Sequence, residues 1–79
     1  MMFVTDEMSL KRVGKLRRKM NEMSVDAYLV TNPSNRYYLS GFTGDDGVLL
    51  VTENHRYLIT DSRFEEQISH DQPSWEAVI

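Results

Sequence analysis

Two apolar runs, Val48-Leu49-Leu50-Val51-Thr52 and Arg56-Tyr57-Leu58-Ile59-Thr60, are separated only by Glu53-Asn54-His55. A link this short makes the runs pair antiparallel, as a hairpin. That pairing is the strongest constraint on the chain, because it commits the middle of the sequence to a sheet. Asp26-Ala27-Tyr28-Leu29-Val30-Thr31 is a third short apolar run and reads as a buried strand. Trp75-Glu76-Ala77-Val78-Ile79 reads as the start of a fourth.

Helices fit between and before these runs. Leu10, Val13, Leu16, Met20 and Met23 recur at steps of three and four, which predicts a helix over 6–23 with one apolar stripe. Thr5 is placed to cap it, and Asp6 and Glu7 face the positive end of the helix dipole. Gly14 weakens its middle by ~1 kcal/mol relative to Ala. Asn32-Pro33-Ser34-Asn35 breaks the first strand. Arg36-Tyr37-Tyr38-Leu39 is then either one helical turn or an extended piece, and the residues leave both open. Gly41-Phe42-Thr43-Gly44-Asp45-Asp46-Gly47 is a loop. Asp61-Ser62 caps a helix that begins near Arg63, carries Phe64 to Ile68, and ends at Asp71-Gln72-Pro73. The order α, β, loop, β, β, α, β predicts one α/β domain, a mixed β-sheet flanked by helices. The sequence stops inside an apolar β run, so the expectation is a domain over residues 1–79 that is truncated at its C-terminus.

The residue inventory narrows the chemistry. The chain has 79 residues and no cysteine, which excludes a disulfide framework, a thiol nucleophile and a Cys-ligated metal site. No apolar run approaches the ~20 residues that span a bilayer. The start, Met1-Met2-Phe3-Val4 before Asp6 and Glu7, lacks the pattern of a signal peptide. The expectation is a soluble, cytoplasmic protein without a membrane partner. Residues 1–24 carry six Lys or Arg against three acids, and the remainder carries three Arg against nine acids. A basic cluster raises nucleic acid as a partner. The 11–19 stretch has no interleaved aromatics for base stacking, so it reads as the solvated face of a helix and no nucleic acid is expected.

Gly41-x-x-Gly44-x-x-Gly47 has a phosphate-loop look, but it holds Asp45 and Asp46, has no Lys and leads into a strand. Its glycines read as backbone freedom. Asp45, Asp46, Asp61, Glu65 and Glu66 match no metal-ligand spacing, and His55 and His70 sit in a predicted turn and helix end. No Ser stands in a G-x-S-x-G elbow. Most of the aromatics are expected in the core. Tyr37, Tyr38 and Phe42 flank the glycine loop and are candidates to present aromatic surface to a ligand or partner.

Asn35-Arg36-Tyr37-Tyr38-Leu39-Ser40-Gly41-Phe42-Thr43-Gly44 resembles the N-x-x-Y-L-[ST]-G-F-x-G stretch of the creatinase/prolidase N-terminal domain. Val25 to Thr31 resembles that family's first strand, and Asp61-Ser62-Arg63-Phe64 with Glu66-Gln67 resembles its D-x-R-[FY]…E-Q segment. The resemblance covers nearly the whole chain in order. It implies a ribonuclease H-like sheet that precedes a "pita-bread" catalytic domain absent from this sequence. The pattern is that of Xaa-Pro dipeptidases and aminopeptidases P, which cleave before proline. It implies a divalent metal centre, usually manganese, in the missing domain, and no catalytic or metal residue in this one. It also implies three partners: the chain's own C-terminal catalytic domain, a second subunit of a homodimer, and proline-containing peptides.

By the same resemblance this domain supplies oligomer contacts and walls of the active-site cleft. Tyr37, Tyr38, Gly41, Phe42 and Gly44 are the candidates for cleft or interface, with Phe42 as an apolar wall. Asn35, Asp61 and Arg63 are structural candidates. Ser24 stands where many relatives have glycine, and Asp45-Asp46 makes the loop unusually acidic. Two other readings stay open: a free-standing interaction module, and the N-terminal domain of a creatinase-type amidinohydrolase.

Overall fold

The computed structural model describes residues 4–71 and 74–79. The first helix, α1, runs Asp6–Glu22. Thr5 caps it, accepting a hydrogen bond from Met8 N at 3.2 Å. Its buried positions are Ser9, Val13 and Met20, with Leu16 packed partly against the core. Val13, Leu16 and Met20 of the predicted stripe face the core, while its two ends do not: Leu10 and Met23 are each 52% exposed, and Ser9 is inside. The chain leaves α1 through Ser24, which holds a left-handed φ of 56°.

Strand β1 is Ala27–Val30, β2 is Val48–Thr52, β3 is Arg56–Ile59 and β4 is Glu76–Val78. They form one sheet in the order β1-β2-β3-β4. The β2–β3 hairpin is antiparallel, with Leu49 opposite Leu58. β1 also pairs antiparallel with β2, and β4 pairs parallel with β3. β1 is a sheet edge on which only Val30 is buried, so the expected buried strand is half-exposed. An apolar run has the same composition in either place. What fails to cover β1 is the tertiary arrangement, since α1 packs on α2 and β2.

The segment left open by sequence is a helix, α2, at Pro33–Ser40. Asn32 caps it by accepting from Ser34 N and Asn35 N, and Pro33 sits where no backbone donor is needed. After β3, a 3-10 turn at Ser62–Phe64 leads into α3, Glu65–Asp71. That crossover is what lets β4 run parallel to β3. The predicted stop at Gln72 and Pro73 lies outside the described residues.

Successive strand residues point to opposite faces. Val30, Leu49, Val51 and Leu58 share one face and are buried against Val13, Met20, Leu39, Phe42 and Trp75. Leu16, Phe64 and Ile68 close the periphery of this cluster. All three helices thus contribute to the same side of the sheet. Ser9 ties α1 to α2, to β3 and to the residue before β4: its Oγ donates to Leu39 O at 2.6 Å and accepts from Trp75 Nε1 at 2.9 Å and Arg56 Nη1 at 3.1 Å.

Candidate functional site

The glycine loop and α2 form one structural unit. Gly41 ends α2 in the left-handed conformation, φ 79°, and its N–H donates to Tyr37 O at 2.8 Å. Only glycine takes that φ at no steric cost. Ser40 Oγ donates to Arg36 O at 2.7 Å and accepts from Phe42 N at 3.1 Å, which turns the chain inward. Phe42 is 2% exposed and meets Phe64 edge-on, 6.0 Å between ring centroids. Its ring is in the core and is not presented at the surface of this chain. Gly44 lies directly against that ring, where any Cβ would overlap Phe42 Cζ.

Three anchors hold the rest of the loop. Arg36, 4% exposed, donates from Nη1 to Thr31 O at 2.9 Å and from Nη2 to Gly44 O at 3.2 Å. Its Nε is buried without a hydrogen-bond partner among the described residues. Asp71 accepts from Thr43 N at 2.7 Å, Thr43 Oγ1 at 2.8 Å and Gln67 Nε2 at 3.1 Å. Partial burial alone would raise the Asp71 carboxyl. The hydrogen bonds from Thr43, His70 and Gln67 outweigh it and hold the carboxyl below its ordinary range. Asp46 accepts from Gly47 N at 2.9 Å and from Arg63 Nη2 at 3.2 Å, while its carbonyl accepts from Thr60 Oγ1 at 3.0 Å.

Arg63 also pairs with Asp61, Nη2 to Oδ2 at 2.7 Å, and Asp61 accepts from Arg63 N at 3.0 Å as the cap of the 3-10 turn. The side-chain hydrogen bond from Arg63 lowers the Asp61 carboxyl, and the same pair raises the guanidinium. Both groups are exposed, so this pair contributes little to stability. Two of the acids weighed as metal ligands are thus engaged by one arginine. No group of three or more His, Asp or Glu among the described residues is arranged to hold a metal ion. His55 is exposed, 3.2 Å from Glu76 Oε1 and stacked on Tyr57.

The exposed side of α2, beside the loop, carries an aromatic ring. Tyr38 is 49% exposed, with Arg12 4.0 Å above its ring and Arg12 Nη1 donating to Tyr38 O at 2.6 Å. A groove of about 420 Å³ opens there, lined by Arg12, Leu16, Tyr28, Asn35, Tyr38 and Leu39 among others. Tyr37 is half-buried. The predicted site residues therefore divide. Gly41, Phe42 and Gly44 shape the loop from inside, and Tyr38 and Asn35 line the groove. Asn35 N is also one of the two amides capped by Asn32. Arg12 and Asp71 were not singled out from sequence, and Arg36 and Gln67 were named only within the family stretches. The partners of Arg12, Gln67 and Asp71 include residues 24 to 28 positions away, a distance no local motif reports.

The sequence profile of the Creatinase/Prolidase N-terminal domain matches residues 12–79. A solved Xaa-Pro aminopeptidase structure from Streptococcus pyogenes superposes with a TM-score of 0.82 at 33% identity, covering 94% of this chain and 57% of that one. The N-terminal domain of the cytoplasmic peptidase PepQ from Mycobacterium tuberculosis matches with a TM-score of 0.78 at 35% identity, covering 87% of this chain and 55% of that one. The uncharacterized peptidase YqhT of Bacillus subtilis is 34% identical over 56 residues, 71% of this chain. This chain spans only 16% of that peptidase's length.

Proposed function

This chain belongs to the creatinase/prolidase N-terminal domain family, and on that footing we propose that it is the front part of the non-catalytic N-terminal domain of an Xaa-Pro peptidase. The observation that carries the reading is the match in order over residues 12–79, among relatives that include an Xaa-Pro aminopeptidase and an Xaa-Pro dipeptidase. In this reading a C-terminal domain hydrolyses the bond before proline in short peptides, in the cytoplasm. This domain packs on that catalytic domain and on a second subunit, and helps wall the cleft. The exposed ring of Tyr38, beside a loop held at three points, supports the assignment of Tyr38–Gly44 to the cleft side.

The divalent metal of such an enzyme, manganese by the resemblance, would belong to the catalytic domain. The described residues of this chain do not fit it: Asp46 and Asp61 already share Arg63, and no other acidic cluster forms. No metal chemistry is assigned to them. A second reading, a free-standing interaction module, draws on the groove between Tyr28 and Tyr38.

The test is hydrolysis of an Xaa-Pro dipeptide and an Xaa-Pro-containing tripeptide, with manganese present. The longer product of the same gene should cleave one of them, and the 79-residue chain neither. Cleavage by the 79-residue chain, or a natural product that ends at Ile79, would overturn the proposal. Creatine hydrolysis without peptide hydrolysis would move the parent to the amidinohydrolases.

A further inference from the structure

Among the described residues β1 has a neighbouring strand on one side only, so its outer edge is open. The hairpin shows which of its backbone groups face out. Thr52 N donates to His55 O at 2.9 Å, which sets Thr52 and Leu50 toward β3. Leu49 and Val51 therefore serve β1, through Val30 and Tyr28. Ala27 and Leu29 are left with N–H and C=O turned away from the sheet. Thr31 O, next in that row, is taken by Arg36 Nη1. The strand itself carries no charge and no proline, the usual guards of an exposed edge. Tyr28 shares the face of Val30 and stands 42% exposed at the groove that Tyr38, Asn35 and Arg12 also line. An open ladder and an aromatic groove thus lie side by side, with a guanidinium in the groove's wall.

Resting on the Xaa-Pro reading above for the ligand class, we propose that this edge and groove form an accessory docking site for an extended Xaa-Pro peptide with a free carboxylate. The residue before proline pairs with Leu29, its N–H on Leu29 O and its C=O accepting from Leu29 N. The N–H of the following residue points away from the partner strand in such a ladder, so proline there loses no bond. The proline ring then falls on the groove side, against Tyr28 and Tyr38, the kind of aromatic surface on which proline-rich segments dock. Charge selects the same occupant. Arg12 uses Nη1 on Tyr38 O, one of five guanidinium N–H groups, and Lys11 and Lys15 stand within a turn of it on α1. A peptide carboxylate in the groove meets that charge. Size argues against a second copy of the chain. Four residues at ~3.3 Å give an edge about 13 Å long, far short of what an interface burying ~800 Å² per partner needs. A short peptide fits that length.

The probe is acetyl-Val-Pro-Ala, titrated into the 79-residue chain and into the longer product of the same gene, both isotope-labelled at leucine. The Leu29 amide resonance is the readout. Acetyl-Val-Ala-Ala, which lacks the proline, and the C-terminal amide of the probe, which lacks the carboxylate, are the comparisons. The probe should move the Leu29 resonance saturably, with a Kd on the order of 1 mM. Each comparison peptide should bind about threefold more weakly or worse, and Arg12→Gln should erase the difference between acid and amide. Leu29→Pro removes the outward N–H without touching a bond to β2. Followed by the probe's own resonances, it should weaken binding about fivefold or more, with circular dichroism unchanged. If that variant loses its dichroism, the Arg12 variant and the peptide series decide. No saturable shift, equal binding of the three peptides, or an acid–amide difference that survives Arg12→Gln overturns the proposal. So does a chain that sediments as a dimer and is dissociated by Leu29→Pro, because the edge then belongs to a second copy. Xaa-Pro hydrolysis by the longer product is assayed in parallel. Hydrolysis without docking removes this inference and leaves the function; docking without hydrolysis removes the function and leaves a peptide-binding edge.

Discussion

Replacing Ser9 by alanine should be among the most damaging single-atom deletions in this chain. Ser9 is 2% exposed, and its hydroxyl serves three partners at once. It caps the carbonyl of Leu39, one of the last-turn oxygens of α2 that has no partner within its own helix. It also receives the only tryptophan N–H of the chain and one Arg56 N–H. Arg56 is half-exposed and can turn to water, so its loss is small. Trp75 is 5% exposed and Leu39 is 7% exposed, so the indole N–H and the Leu39 carbonyl cannot. Two buried groups left unpaired at ~1–3 kcal/mol each give a destabilisation of about 2–6 kcal/mol. A domain of this size has about 4–12 kcal/mol in total. The expected result is a urea midpoint lowered by about 1 M or more, followed by Trp75 fluorescence, and a Tm lowered by about 10 °C or more. A Trp75→Phe background removes one of the orphaned donors in advance. Followed by circular dichroism, Ser9→Ala should then cost about 1 kcal/mol less, the coupling expected of groups in direct contact. A cost below about 0.5 kcal/mol in the native background would show that the hydroxyl is not the tie between α1, α2 and β4.

Gly44→Ala should destabilise by about 1–3 kcal/mol, read by chemical denaturation, because a Cβ there displaces the Phe42 ring from the core; an unchanged midpoint would mean that the ring has room to move. Ser24→Gly should stabilise by about 0.5 kcal/mol, because serine holds a left-handed φ there that glycine adopts freely; a lowered Tm would contradict it. Asp71 is held below its ordinary value in the folded chain, so the unfolded chain takes up protons first as pH falls. Its contribution is therefore complete above the unfolded value, roughly 3.9, and is lost as pH falls through the lower folded value. The urea midpoint should fall below about pH 4, and Asp71→Asn should flatten that part of the curve. Arg36→Met removes a buried guanidinium together with its bonds to Thr31 O and Gly44 O. Stability should change by no more than about 1 kcal/mol, since the desolvation relieved offsets the bonds lost. Amide exchange of Thr43 to Gly47 should rise, and unaltered exchange would dissociate Arg36 from loop order.

The parts of this fold that sequence displays are the ones fixed within a few residues. The Thr5 cap, the hairpin across Glu53-Asn54-His55 and the Asp61 cap each follow from neighbours in the chain, and each is present. The helical state of Arg36 to Leu39 stayed open because the cap at Asn32, the proline at the first turn and the exit at Gly41 must combine to stabilise so short a helix. What could not be read depends on distant partners. Ser9 is inside and Leu10 outside because Trp75 and Arg56, 66 and 47 residues away, supply the hydrogen bonds that make a buried hydroxyl tolerable. Helical periodicity, which counts only hydrophobicity, therefore found Val13, Leu16 and Met20 but put Leu10 inside in place of Ser9.

The same distinction bears on the glycine loop. Its spacing suggested a cradle for a ligand, yet its backbone is committed to the protein itself. Thr43 N goes to Asp71, Phe42 N to Ser40, Gly47 N to Asp46, and Gly44 O to Arg36. A loop with so many of its polar groups spoken for has few left to bind an anion, and its two acids oppose one. Rigidity of this kind suits a segment that must hold a neighbouring surface in place. The exposed face of α2, with Tyr38 under Arg12, is then the part of this unit that reaches the surface of the chain. Part of the acidity that argued against phosphate has a structural use, since Asp46 links the loop to Arg63, while Asp71 of α3 accepts from Thr43 N in the same loop.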